Sequence, residues 1–253
     1  MRIFVPAILL WLLAAASPLA GAEPTSVDVH VLSRDAKFVG SGVGGVRVTI
    51  ADAATGEMLA QGITEGGTGD TDLIMGEREH GKSLIAGDTA GFSATLDLTA
   101  PRLVRVTAHG PLGYPESANT VSATQWLLPG RSAGEQGWIL ELPGLIVDVH
   151  DTPALVQLEE GEARVEVQAT VRMMCGCPLT PDGLWDSNEF EIHARLMLDN
   201  EEITGSRLDY AGEASEFHGE LLLTRQGTYR LSVQAHQPRT GNTGAVDRPL
   251  MVH

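Results

Sequence analysis

Along most of this chain, apolar and polar residues alternate with a period of two, and that pattern constrains the fold more than any other feature. Residues 46–50, 92–98, 163–171 and 229–235 each place apolar side chains at every second position. Such alternation is typical of strands that bury one face of a sheet. No stretch of helical period extends beyond about two turns. The sequence therefore predicts an all-β fold.

Turn-forming residues divide these strands into two groups. The chain has 29 glycines and 13 prolines, while aromatic residues make up only 5%. Short strands with frequent turn signals predict antiparallel β-sandwiches. We expect two tandem sandwich domains, residues 23–110 and 146–253, joined by a Gly- and Pro-rich connector at 111–145. Trp126 and Trp138 make that connector too apolar for a free linker, so we expect them to pack against a domain face or between the domains.

The first 22 residues are typical of a secretory signal peptide. Arg2 supplies a short positive region, residues 3–16 are apolar apart from one proline, and Ala20-Gly21-Ala22 provides a small-x-small cleavage site. This apolar run is shorter than the roughly 20 residues of a membrane span, and no later segment approaches that length. The sequence predicts a periplasmic or secreted protein without an integral membrane span.

The balance of charge limits the possible partners. Asp and Glu number 33 against 17 Lys and Arg, which gives a formal net charge of −16. Nucleic acid and anionic lipid surfaces are bound through clustered cations. We therefore expect no nucleic-acid partner, and another envelope protein is the expected partner.

Met173-Met174-Cys175-Gly176-Cys177-Pro178 is the strongest chemical signal in the chain, and it holds both cysteines. Continuing the alternation from residue 163 places Met173, Cys175 and Cys177 on the inward face at the end of a strand. Gly176 permits a bend, and Pro178 ends ladder pairing. The pattern predicts two sulfur atoms at the rim of a sandwich, within reach of solvent.

Three kinds of chemistry suit this pair of cysteines in an oxidising compartment. The first is a local disulfide, although the Cα atoms of an extended Cys-x-Cys lie about 6.5–7 Å apart, near the upper limit for that bond. The second is a soft-metal site. Thiolates with thioethers favour Cu(I) over Zn²⁺ or Ca²⁺, and the candidate ligands are Cys175, Cys177, Met173, Met174 and His193. The third is an exchange dithiol.

One observation weighs against a soft-metal site with many ligands at the cysteines, and another weighs against a calcium site elsewhere. Simple alternation turns His193 away from the cysteines. Residues 64–87 are rich in Asp and Glu, but their spacing is not that of a calcium-binding EF-hand loop. A solvated acidic loop explains this stretch better.

Two segments resemble known modules. Residues 45–60, in which a strand runs into the hairpin Ala54-Thr55-Gly56-Glu57, resemble transthyretin-like or carboxypeptidase-regulatory-like modules. Residues 227–244 resemble the last hairpin of bacterial immunoglobulin-like domains. These resemblances imply sandwich folds and a spacer or binding role, and neither implies catalytic residues. The sequence thus predicts a non-enzymatic binding or accessory protein of the bacterial envelope that handles a soft metal. The alternatives are a thiol–disulfide exchange protein and a passive structural or adhesion module with a local disulfide.

Overall fold

The computed structural model describes residues 21–77, 81–199 and 201–253, and over these ranges the protein consists of two β-sandwiches. The all-β prediction is confirmed. Residues 1–20 of the predicted signal peptide, and 78–80 of the acidic loop, lie outside the described residues.

Seven strands form the first sandwich, in two sheets. One sheet has the order β4-β1-β7, in which β1 is antiparallel to β4 and parallel to β7, and the other has the antiparallel order β3-β2-β5-β6. A short helix, α1 (Thr71–Met75), lies between β3 and β4. The strands are β1 (Glu23–Ser33), β2 (Arg47–Asp52), β3 (Met58–Ile63), β4 (Phe92–Leu98), β5 (Arg102–Gly110), β6 (Asn119–Leu127) and β7 (Trp138–Leu142).

Nine strands form the second sandwich. Its sheets have the orders β13-β14-β10-β8 and β12-β11-β15-β16-β9, and all pairs are antiparallel except β9 with β16. The strands are β8 (Leu145–His150), β9 (Leu155–Val156), β10 (Ala163–Met173), β11 (Glu191–Leu198), β12 (Glu201–Arg207), β13 (Asp209–Tyr210), β14 (Glu216–Leu223), β15 (Gly227–Gln237) and β16 (Asn242–Val252).

The second sandwich has an immunoglobulin-like arrangement. Its strands alternate between the sheets in the order of that fold, with β8, β10, β13 and β14 opposite β11, β15 and β16. Tyr229, near the start of β15, donates its hydroxyl to the backbone oxygen of Arg225 over 2.8 Å. This contact is the tyrosine corner of immunoglobulin-like domains.

The alternation in sequence explains which side of each strand is buried. In β10, Val165, Val167 and Ala169 are at most 2% exposed, whereas Glu166 and Gln168 between them are exposed. Burying a side chain of the size of valine stabilises the fold by about 1.5–3 kcal/mol. Each sandwich therefore has its own apolar core, filled from both of its sheets.

The Gly- and Pro-rich segment after residue 110 supplies two strands of the first sandwich. Trp138 in β7 is 8% exposed and lies in the core of the first sandwich, while Trp126 in β6 is 61% exposed. The prediction of a packed ring is therefore wrong for Trp126, because β6 is an edge strand and Trp126 lies on its solvent side, whereas Trp138 does pack, within the first core.

Candidate functional site

Cys175 and Cys177 form a disulfide in the turn that follows β10. Their Cα atoms are 5.4 Å apart, closer than in an extended strand, because Gly176 between them has a φ of +80°. Two backbone bonds hold the turn, Gly176 N to Met173 O at 2.8 Å and Met173 N to Cys177 O at 3.1 Å. A positive φ is accessible to glycine at little cost, so this residue makes the local disulfide possible.

Both half-cystines are buried, and the prediction that they lie within reach of solvent is wrong. Cys175 is 4% exposed and Cys177 is 6% exposed, and both belong to the core of the second sandwich. The first sandwich covers the rim at this point. A Cβ atom on Gly176 would lie only 2.6 Å from Cγ1 of Val43, which belongs to the first sandwich.

The other predicted metal ligands are not brought together around the cysteines. Met173 and Met174 are both fully buried, but Met173 lies in the second core and Met174 in the first. His193 is in β11, beside Arg195 and Arg207 on the outer side of the five-stranded sheet. Within residues 21–77, 81–199 and 201–253, no group of three or more His, Cys, Asp or Glu side chains has the geometry to hold a metal ion.

The junction between the sandwiches is apolar at its centre. Ile146 and Met174 come from the second sandwich, yet they are buried in the core of the first, and Ala36 of the first sandwich is buried in the core of the second. The two cores therefore interlock across the cysteine turn, and separating the sandwiches would expose all three side chains to water.

Asp35 forms a polar clamp beside this apolar centre. Its backbone oxygen accepts the indole N–H of Trp185 at 2.9 Å, and its carboxylate accepts from Gln237 at 3.0 Å and from Arg239 at 2.5 Å. The pKa of the Arg239 guanidinium is raised, chiefly by the hydrogen bond to Asp35. One loop of the first sandwich thus satisfies donors from two loops of the second.

Asn242 makes a second set of bonds across the junction and is fully buried. Its Oδ1 accepts the backbone N–H of Gly144 at 3.0 Å, and its Nδ2 donates to the backbone oxygen of Arg34 at 3.1 Å. These bonds matter because a buried polar group without a partner costs free energy. Sequence reasoning missed both Asp35, in a turn, and Asn242, the first residue of β16 after a turn, because Asp and Asn are common at turns for local reasons.

A bidentate ion pair lies at the periphery of the junction. The two terminal nitrogens of Arg248 contact the two carboxylate oxygens of Glu116 at 2.9 and 2.7 Å. The hydrogen bond lowers the pKa of Glu116 and raises that of Arg248. Paired charges of this geometry fix orientation as well as distance.

The junction occupies one loop end of the immunoglobulin-like sandwich. The loop from β10 to β11 contains the cysteine turn and Trp185, and the hairpin from β15 to β16 contains Gln237, the last residue of β15, and Arg239; both contact the first sandwich. In antibody variable domains, ligands are bound by loops at one end of the sandwich. Here these loops bind the neighbouring sandwich, which leaves the sheet faces as the broad exposed surfaces.

The outer face of the sheet β13-β14-β10-β8 carries an open cleft of about 710 Å³. It contains His150, whose Nε2 lies 3.2 Å from Glu216 and 3.3 Å from the hydroxyl of Thr170. In a nucleophile–histidine–carboxylate relay, the nucleophile and the carboxylate contact different ring nitrogens. Both contact the same nitrogen here, so this group does not have the geometry of such a relay.

Comparisons with known proteins give no family and no curated relative: no family model matches the chain, and no curated protein does. Solved structures that match include fibronectin(III)-like modules of CbhA from Clostridium thermocellum, with 11% identity, 94% of this chain and 92% of that chain covered, and a TM-score of 0.28. The chicken interferon gamma receptor alpha chain matches with 11% identity, coverages of 91% and 98%, and a TM-score of 0.32. The tip fimbrial protein Mfa3 from Porphyromonas gingivalis matches with 11% identity, coverages of 91% and 82%, and a TM-score of 0.30. Likenesses this weak carry no argument about what this protein binds.

Proposed function

We propose that the protein is an exported, non-enzymatic binding or accessory module of the bacterial envelope, in which the two sandwiches act as one rigid unit. The observation that carries the proposal is the interlocked junction at the cysteine turn, where each core buries side chains from the other sandwich. A rigid pair of sandwiches presents its sheet faces in a fixed relation to a partner. The expected partner is another component of the envelope.

In this proposal the disulfide is structural, as in the passive module with a local disulfide that the sequence left open. Disulfide exchange requires a thiolate to reach a sulfur atom, and the residues that carry both sulfurs are almost fully buried. Binding of Cu(I) requires thiolates, so it would first require reduction of the bond between Cys175 and Cys177. Both facts favour a structural disulfide over a soft-metal site or an exchange dithiol.

The export part of the proposal rests on the signal-like residues 1–22 and on the disulfide, because disulfides persist in oxidising compartments. Among the described residues, no helix has the length and apolar character needed to cross a membrane. A periplasmic or secreted location follows from this proposal. The assignment of the first sandwich to the transthyretin-like modules, and the domain boundary at 145, stay predictions.

Mass spectrometry of the protein recovered from the periplasm or medium tests the proposal. We expect a chain cleaved after Ala22 whose mass rises by two hydrogens on reduction, and whose cysteines resist alkylation under native conditions even with a mild reductant. Denaturant with the same reductant should allow alkylation of both. Free thiols in the exported protein, or retention of the uncleaved leader in the cytoplasm, would contradict it.

Two activity measurements separate the alternatives in the same preparation. We expect no stoichiometric Cu(I) binding by the oxidised protein, and no reduction of insulin disulfides. Copper binding that is lost in Cys175→Ser would instead support the soft-metal function. Insulin reduction that is lost in the same variant would support the exchange function. Either result would overturn the structural role of the disulfide.

A further inference from the structure

The four-stranded sheet of the first sandwich has an excess of basic residues, whereas the chain as a whole has an excess of acidic ones. The chain as a whole carries 33 acidic and 17 basic residues. The strands β2, β3, β5 and β6, however, hold three arginines, one histidine and a single carboxylate, Asp52. Arg102 and Asp52 lie on the core-facing side of their strands, since they pair with Leu127 and Val104. The outward positions of these strands hold Arg47, Arg105 and His109 and no carboxylate, so this exposed sheet face of a strongly acidic protein is basic.

Two of these arginines are available to a ligand. Arg102 donates to Asp52 at 2.6 Å and to Glu57 at 2.5 Å, and the hydrogen bond from this guanidinium holds the pKa of Asp52 below its usual range. Arg47 and Arg105 are exposed, and neither has a hydrogen bond or ion pair with the residues that the structure describes. The charge of the face is thus not neutralised from within the protein.

Around these arginines the outer face presents hydroxyl and amide groups, one aromatic ring, and the exposed aliphatic side chains of Ile63 and Met58. Val121, Ala123 and Leu127 of β6 face the core, so Trp126 lies on the opposite side, where it is 61% exposed. The outward positions of the four strands form rows across the sheet. One complete row is Gln61, Thr49, Thr107 and Ser122.

Strand register gives the spacing of the main groups. Trp126 pairs with Leu103, two residues from Arg105, so Trp126 and Arg105 are diagonal neighbours about 7–8 Å apart. Arg47 pairs with His109, four residues from Arg105, which places the two arginines roughly 14 Å apart along the strands. The ring and the two guanidinium groups therefore follow a diagonal across the outer face of the sheet, with Ile63 beside Arg47.

We propose that this face binds an extended anionic polysaccharide whose charges are sugar carboxylates. Trp126 would stack on the apolar face of one sugar ring, Arg105 and Arg47 would pair with carboxylates on separate units, and the hydroxyl and amide row would bond to sugar hydroxyls. This inference rests on the proposed function as an exported binding module and names its ligand class. Only Trp, Arg and neutral polar groups are needed, and the face contains these.

The small number of exposed rings and cations on this face favours a carboxylated polysaccharide over a nucleic acid. Single-stranded nucleic acid is held by several aromatic rings and by a groove with dense positive charge, whereas this face has one exposed ring and two free guanidinium groups. Salt screens the attraction beyond a Debye length of about 8–10 Å, and the rest of the molecule is acidic. Binding should therefore depend on contact geometry as well as on charge.

Affinity electrophoresis of the full-length mature protein in gels containing polygalacturonate tests the proposal. We expect retardation by polygalacturonate and, as the matched control for charge, much weaker retardation by the fully methyl-esterified polymer. Trp126→Ala and Arg105→Gln should each weaken binding about tenfold, and Arg47→Gln should weaken it as well. Arg131→Gln and Leu184→Ala, an exposed arginine and an exposed apolar residue outside this sheet, should bind as the wild type does.

Several results would overturn the proposal. These are no retardation by polygalacturonate, equal retardation by the neutral polymer, unchanged binding in Trp126→Ala, or a preference for single-stranded DNA in the same gels. Urea unfolding of each variant is the control for folding, and we expect these exposed substitutions to leave the free energy of unfolding unchanged. The cysteine turn lies outside this sheet, so failure of polysaccharide binding would leave the alkylation result unchanged, and the two proposals fail separately.

Discussion

Replacing Gly176 with alanine should destabilise the protein twice over, through backbone strain and through a clash between the sandwiches. The residue has a φ of +80°, which costs an L-amino acid about 1–2 kcal/mol. The new Cβ would also lie 2.6 Å from Cγ1 of Val43, a contact that forces the Val43 side chain or the facing backbone to shift. Overpacking of this kind costs about 1–3 kcal/mol, so the expected total loss is roughly 2–5 kcal/mol.

Two further variants separate these costs. Gly241 has a φ of +71°, and a Cβ atom added to it would have no other atom within 4 Å, so Gly241→Ala should cost only the backbone part, about 1–2 kcal/mol. Val43→Ala removes the methyl group that the new Cβ on residue 176 would contact. In that background, Gly176→Ala should cost no more than Gly241→Ala does.

Equilibrium urea unfolding followed by circular dichroism measures the free energies, and the coupling energy of Gly176→Ala with Val43→Ala is the decisive quantity. We expect a coupling of about 1–3 kcal/mol. If Gly176→Ala costs no more than Gly241→Ala, or if its cost is the same with and without Val43, then the two sandwiches do not meet at the cysteine turn.

Three other substitutions test separate parts of the structure. Tyr229→Phe removes the tyrosine corner and should lower the free energy of unfolding by about 1 kcal/mol, as measured by urea unfolding. Asn242→Ala leaves the backbone N–H of Gly144 buried without a partner and should cost about 1–3 kcal/mol in the same assay, with exposed Thr243→Ala as its control. Arg102 lowers the pKa of Asp52, so this carboxylate stabilises the fold above its unfolded pKa of about 3.9, and that stability is lost as the pH falls through the lower folded pKa. Thermal unfolding between pH 5 and about pH 2 should therefore show a shallower acid loss in Arg102→Gln than in the wild type; identical slopes would contradict the pairing.

The sequence was sufficient to predict the strands, because alternation of apolar residues is a local property. It also placed Met173, Cys175 and Cys177 on the inward face, and all three side chains are buried in the core of the second sandwich, Met173 at the end of β10 and the cysteines in the turn that follows. The bend at Gly176 was likewise predictable, since the Cys-x-Cys spacing requires it for a disulfide.

The junction could not be predicted, because it depends on contacts between residues far apart in sequence. Val43 covers Gly176, and Asp35 accepts from Gln237 and Arg239, so each contact joins the first sandwich to the second. Period-two alternation assigns a residue to a face, but it does not say whether a second sandwich covers that face. For this reason the exposure of the cysteine turn was predicted wrongly.

Residual dipolar couplings of the oxidised protein test the rigid union of the two sandwiches most directly. Backbone amides of β1–β7 and of β8–β16 should fit one alignment tensor, with the same magnitude and orientation for both sets. Two tensors of clearly different magnitude would mean that the sandwiches move independently, which would contradict an interlocked junction.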